Sequence, residues 1–253
     1  MNGIANGRYV ALGSSFAAGI GLGPRAPGSP FFCFRSANGY PHLLAQLAGL
    51  SLVDMSCSGS TTGHILGKGR LFLPPQLDAV GPETTLVTIT SGGNDVGYIG
   101  DLTFAAGVAG PIERLLWRGL RPIDERNFGQ VTDNLRKITQ KIKERAPLAE
   151  VVLVSYPAVL PPCGTCASLG ISEEMADTAR LVAEHLENAT RSAAELSSST
   201  YVDMATIGID HHACSTVPWV NGAARGNGVP FHPTAAGAKA TAEAIFNAIS
   251  ATA

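Results

Sequence analysis

With 253 residues the chain is long enough for one large domain or two small ones, and at 45% hydrophobic and only 15% charged it can build a sizeable packed core. The formal net charge is −2, and the most basic stretch, residues 126–147, spaces its charges as the wet face of a helix does, which argues against nucleic acid as a partner. No run of about eighteen apolar residues is present, so no transmembrane segment is expected.

Taken in chain order, the apolar run after Arg8 is too short for a signal peptide, so either a leader has been trimmed away or the chain never had one. Tyr9–Leu12 reads as a first buried strand and runs into "GSSFAAG", a small-residue turn holding Ser14 and Ser15. Pro41 stands where a first helical turn would begin, ahead of Leu43, Leu44 and Leu47. Leu52–Met55 is a second strand, followed by "SCSGSTTG" with Gly59 in an amide-rich turn. Leu86–Thr90 is a third, followed by "SGGNDVGY" with Asn94 behind two glycines.

From Tyr98 to Glu125 the chain is Gly-rich and apolar, with Phe104, Ile112, Leu115, Leu116 and Trp117 grouped together. Ordinary core is the usual meaning of such a group; the other is a cover bordering an acyl-binding surface. Phe128, Val131, Leu135, Ile138 and Ile142 then recur at helical spacing until Pro147. Val151–Val154 is a fourth strand. Met175, Ala179, Val182, Leu186, Ala193 and Leu196 mark another helix, with Ser172 as its N-cap. Tyr201–Met204 reads as a fifth strand, and a last helix runs from about Thr234 to Ile249. Strand–helix alternation of this kind predicts a three-layer α/β/α, flavodoxin-like fold with a parallel sheet of about five strands. With no linker, repeat or low-complexity tract, residues 1–253 read as a single domain.

The five cysteines are Cys33, Cys57, Cys163, Cys166 and Cys214. Zinc needs four ligands in tight clusters and only "CGTC" is tight, while a redox pair there would sit in a Pro-rich loop. Two disulfides plus one spare thiol is the plainer reading. It points to an oxidising compartment, hence a secreted or periplasmic protein; fully reduced thiols would point to the cytoplasm instead.

Ligands bind beyond the carboxyl ends of strands in a parallel α/β sheet, so the residues directly after each strand matter most. Singly they say little: a Gly-Ser-Ser turn is usually only a turn, an Asn behind glycines usually caps its loop, and a His beside a helix start usually packs. His232, in "VPFHPTAAG", also competes with His42, His64, His185, His211 and His212. The ordered set says more. With Ser15, Gly59, Asn94 and His232 carried by "GSSFAAG", "SCSGSTT", "GGND" and "VPFHPTAAG", the sequence resembles the SGNH (GDSL-like) hydrolase family over nearly its whole length. "YPHLLAQLAGL" and "ACSTVPWVNG" resemble that family's bacterial secreted lipase and phospholipase branch.

The resemblance implies a serine esterase or lipase that hydrolyses carboxylic esters through an acyl-serine intermediate. Ser15 would be the nucleophile and His232 its general base. The Ser15 and Gly59 amides and the Asn94 side chain would form the oxyanion hole. No metal or organic cofactor is implied, and the expected partner is a small-molecule or lipid ester bound by a monomer. A glycan O-deacetylase or acyltransferase on the same scaffold is the alternative among enzymes; a non-catalytic ligand binder of flavodoxin-like fold is the alternative outside them. The resemblance also supports Cys33–Cys57 and Cys166–Cys214 as the disulfides with Cys163 free, although Cys163 is close enough in sequence to reach Cys214 as well.

Two positions depart from the family pattern. Ser14 replaces the Asp of "GDS", which removes a carboxylate that would support the loop. Val229 stands three residues before His232 where the family usually has Asp, so the backbone carbonyl of Val229 or Pro230 is expected to orient the imidazole, with Asp210 as the rival.

Overall fold

Alternation along the strands decides which helices cover which face of the sheet. The computed structural model describes residues 6–116, 120–224 and 228–251. Within them, β1 (Arg8–Gly13), β2 (Ser51–Asp54), β3 (Thr84–Thr90), β4 (Glu150–Val154) and β5 (Thr200–Val202) form one parallel sheet in the order β2-β1-β3-β4-β5. The connections carry α1 (Ser15–Ala18), α2 (Tyr40–Ala48), α3 (Thr62–Leu66), α4 (Tyr98–Ala105), α5 (Pro111–Leu116), α6 (Phe128–Arg145), α7 (Glu173–Leu196), α8 (Met204–Ile207) and α9 (Ala235–Ala251).

Successive strand residues point to opposite faces. Val10, Leu12, Val87, Ile89, Val151 and Leu153 pack on one side against Val131, Leu135, Ile138 and Ile142 of α6 and Val182 and Leu186 of α7. Tyr9, Ala11, Leu86, Val152, Val154 and Val202 pack on the other against Tyr40 and Leu44 of α2 and Ala242, Ile245 and Ile249 of α9. The strands are therefore apolar on both faces, as a parallel sheet covered by helices requires.

Most element ends have a visible cause. The Asn127 side chain accepts from the Gln130 amide at the start of α6, and Ser172 accepts from the Met175 amide at the start of α7. At β5 the chain departs from the expected Tyr201–Met204. Asp203 accepts from both the amide and the hydroxyl of Thr206, capping α8, so the backbone turns helical at Met204 instead of extending.

The apolar group in the 98–125 segment is not ordinary core. Ile112 is 73% and Leu115 83% exposed, whereas Tyr98, Ile99 and Leu102 are buried. Trp117 lies outside the described residues. Disulfides join Cys33 to Cys57 and Cys166 to Cys214, and Cys163 is exposed and unbridged. Among the described residues no helix is long and apolar enough to cross a membrane.

Candidate active site

In this strand order the connections leaving β1 and β3 diverge to opposite sides, which opens a crevice between their carboxyl ends. The chain enters it at Gly13, whose φ of +147° is closed to most side chains; a Cβ there would lie 2.4 Å from the Thr90 carbonyl oxygen. That carbonyl accepts from the Ser14 amide, and the Gln76 side chain closes a two-way pair with the Gly13 backbone at 2.7 and 2.9 Å. The turn fixed in this way puts Ser15 at the first position of α1, beside the crevice.

Ser15 Oγ lies 2.8 Å from Nε2 of His232, and Nδ1 of the same ring lies 2.8 Å from the Pro230 carbonyl oxygen. A carbonyl only accepts, so Nδ1 carries the proton and Nε2 is left to accept from the serine hydroxyl. The backbone makes this choice between the two expected carbonyls. The His232 amide donates to the Val229 carbonyl, closing a tight turn with Pro230 and Phe231 at its centre. Phe231 holds a φ of +57°, where glycine would be the usual residue, and its side chain is fully buried. Burying such a ring is worth about 1.5–3 kcal/mol, enough to offset the roughly 1–2 kcal/mol of a left-handed backbone.

Asp210 is elsewhere, in the 3₁₀ turn Ile209–His211, where its charge acts on His212. The other histidines have structural surroundings. His42 faces Asp54, His64 completes the cap of α3 with Thr61, His185 stacks on Phe128 and His211 on Trp219.

Opposite the serine, Gly59 adopts a φ of +80° in the turn after β2. Asn94 Nδ2 donates to the Ser60 carbonyl at 2.8 Å, which brings the loops after β2 and β3 together and leaves the second amide hydrogen of Asn94 uncommitted. Among the described residues the backbone amides of Ser15 and Gly59 donate to no carbonyl or side chain. Ser15, Gly59, Asn94 and His232 line one cavity of about 450 Å³, whose apolar wall includes Phe16, Ile20, Phe34, Ile99 and Phe104. The 98–125 segment thus borders the cavity through α4.

Sequence reasoning missed four supporting or lining residues. Tyr156, just after β4, accepts from the Gly93 amide at 3.1 Å and shares a hydrogen bond with Ser14 Oγ at 3.2 Å. The Ser14 loop is therefore supported by a phenol in place of a carboxylate. Burial pushes the Tyr156 pKa up to about 12, which keeps the phenol neutral. Asp95 accepts from the Thr62 amide and hydroxyl, a further tie between the two loops; its burial raises its pKa while those hydrogen bonds pull it down. Gln76 braces Gly13, and Arg70 lies against Gly59. Position after a strand could have flagged Tyr156, and Asp95 stands inside the "GGND" block; Gln76 and Arg70 carry no local signal. No group of His, Cys, Asp and Glu suited to a metal ion occurs among the described residues.

A family model described as the GDSL-like lipase/acylhydrolase family matches residues 11–240. The chain is similar to Lipase 2 of Streptomyces coelicolor, at 33% identity over 249 residues covering 93% of this chain and 83% of that protein. It is similar to a lipase of Streptomyces rimosus at 33% identity over 232 residues, covering 90% of this chain and 81% of that one. Among solved structures, the extracellular lipase of Streptomyces rimosus superposes with a TM-score of 0.76 at 28% identity, covering 98% of this chain and all of the other. Phospholipase A1 of Streptomyces albidoflavus superposes with a TM-score of 0.77 at 26% identity over the same shares.

Proposed function

Because the chain belongs to the GDSL-like lipase/acylhydrolase family and is a carboxylic ester hydrolase, we propose that Ser15 is its nucleophile, His232 its general base, and the Ser15 amide, Gly59 amide and Asn94 side chain its oxyanion hole. The observation that carries the assignment is the Ser15 Oγ–His232 Nε2 hydrogen bond within the same cavity as Gly59 and Asn94. A serine hydroxyl is a weak nucleophile until a neighbouring base takes its proton, and Nε2 is placed and tautomerically free to take it. Attack on the ester carbonyl makes a tetrahedral oxyanion, met by donors that are fixed before the reaction begins. His232 then hands the proton to the leaving alkoxide. A water, deprotonated by the same nitrogen, releases the acyl group from Ser15.

All these groups come from one chain, which suits a monomer and a single catalytic domain. The two disulfides and the extracellular lipase relative support a secreted or periplasmic setting. The apolar cavity wall suits the acyl chain of a lipid or small-molecule ester.

An organophosphonate tests the assignment. It should add one adduct, located by mass spectrometry on Ser15, and Ser15→Ala should abolish both labelling and ester hydrolysis. An adduct on Ser14, or full activity in Ser15→Ala, would overturn it.

A further inference from the structure

The mechanism leaves one charged group in the catalytic cavity without a task. Arg70 lines that cavity with Ser15, Gly59 and His232. Its guanidinium is pressed against the oxyanion turn, so that a Cβ built on Gly59 would lie 2.8 Å from both Nε and Nη2. Among the described residues no carboxylate or carbonyl accepts from it, whereas Arg8, Arg126, Arg145, Arg180 and Arg191 all have carboxylate partners. Half-buried cations are usually paired, because desolvation costs free energy that a partner offsets. An unpaired one aimed into a substrate cavity suits a partner that the substrate brings.

The surroundings narrow the choice. The next two residues, Leu71 and Phe72, have φ values of +48° and +62° and are 50% and essentially fully exposed. On a second loop, Phe34 lines the cavity and is 47% exposed, and Phe31 beside it is 72% exposed. Arg70 is thus the one Lys or Arg among the described residues that line the cavity, with exposed apolar side chains next to it in its own loop and Phe34 on the wall. We propose that Arg70 is a specificity residue that binds the phosphate of a glycerophospholipid while Ser15 attacks its acyl ester. In such a lipid the phosphate stands a few bonds from the ester carbonyl, and a guanidinium fork matches two phosphate oxygens. The inference rests on the ester-hydrolase reading above and names the substrate class it serves.

The test compares two soluble, monomeric substrates with the same acyl chains, dihexanoylphosphatidylcholine and dihexanoylglycerol, in the wild type, Arg70→Gln and Arg70→Lys. A charge-assisted contact of about 1.5–3 kcal/mol predicts that Arg70→Gln lowers the phospholipid-to-glyceride ratio of kcat/KM by about 10- to 100-fold. Arg70→Lys, which keeps the charge and loses the fork, should fall in between. An unchanged ratio, whether both substrates lose activity together or neither does, would overturn the proposal; a joint loss would make Arg70 a brace for the Gly59 turn. A wild type that hydrolyses neither substrate and takes no phosphonate would instead mean failure of the ester-hydrolase reading itself.

Discussion

The Pro230 carbonyl oxygen accepts from Nδ1 of His232 at 2.8 Å, in the place where a carboxylate would complete a catalytic triad. A carbonyl bears no formal charge, so it stabilises an imidazolium less than a buried carboxylate does, but it fixes the tautomer equally well. No aspartate should then be needed to orient His232. Asp210→Asn is expected to keep its turnover, whereas the same change in a triad costs about ten-thousandfold. Turnover should also rise with pH as the imidazole sheds its proton, with an equal profile in the mutant. A fall of several orders of magnitude in Asp210→Asn, with its circular dichroism intact, would contradict the two-residue arrangement.

Asn94 is expected to act mainly on the transition state. Loss of one oxyanion donor costs about 100- to 1000-fold in turnover, so Asn94→Ala should lower kcat on that scale and leave KM nearly unchanged. The side chain also donates to Ser60, so thermal unfolding of the mutant should be followed alongside. Unchanged kcat would reduce Asn94 to a loop tie.

Cys57 precedes the Gly59 turn by two residues, and Cys33 lies on the loop that carries Phe34 into the cavity. Closing a loop of this length stabilises by about 3–4 kcal/mol on the chain-entropy model. A Cys33→Ser/Cys57→Ser variant should lose about that much unfolding free energy in denaturant titration and also lose turnover, because the Gly59 turn is no longer anchored. Equal activity in the variant would make this bridge purely a matter of stability.

Asp95 gives a pH dependence with a definite sign. Burial is the larger influence and raises its pKa in the folded state, so the native protein holds this proton to a higher pH than the unfolded chain. Its contribution to stability is therefore fully present below the unfolded value of about 3.9 and is lost as pH rises through the folded value. Asp95→Asn keeps an acceptor for Thr62 but cannot titrate. Between pH 4 and 7 the wild-type minus mutant difference in unfolding free energy should decline as pH rises; a flat difference would show that the hydrogen bonds fully offset burial, and a rising one that they outweigh it.

The sheet was legible because a parallel strand buried on both faces reads as a short continuous apolar run, as in Leu86–Thr90. Ser15, Gly59, Asn94 and His232 were legible because the ordered blocks that carry them resemble a known family; their places beside regular elements agree with that set but, taken singly, had ordinary structural meanings. Arg70 was not, because its position depends on a loop whose positive-φ residues, Leu71 and Phe72, are not glycines and give no turn signal. The 98–125 segment left two readings open for a related reason, and the one that has it bordering the cavity fits Ile99 and Phe104. Clustered apolar residues imply burial only when a partner surface exists, and Ile112 and Leu115 face solvent.

Tyr156 offers the most discriminating prediction about support of the site. Its hydroxyl receives the Gly93 amide and meets Ser14 Oγ, so one phenol spans the loop of Ser15 and the loop of Asn94. Its ring also packs edge-on against Phe16, whose own ring lies 5.3 Å from His232. Tyr156→Phe keeps the ring and removes only the oxygen, leaving the Gly93 amide without its acceptor at a cost of about 1–3 kcal/mol. Part of that cost should appear as displacement of Asn94, the next residue, and so as a fall in kcat of about tenfold with little change in KM, since 1.4 kcal/mol of lost transition-state stabilisation gives that factor. Ser14→Ala removes a weaker contact and leaves the Gly93 bond intact, so its effect should be smaller. If the two residues act through the same hydroxyl, the double mutant should be no worse than Tyr156→Phe alone. Additive losses would mean that Ser14 supports the nucleophile by a separate route, and unchanged kcat in Tyr156→Phe would leave the phenol with a purely structural part.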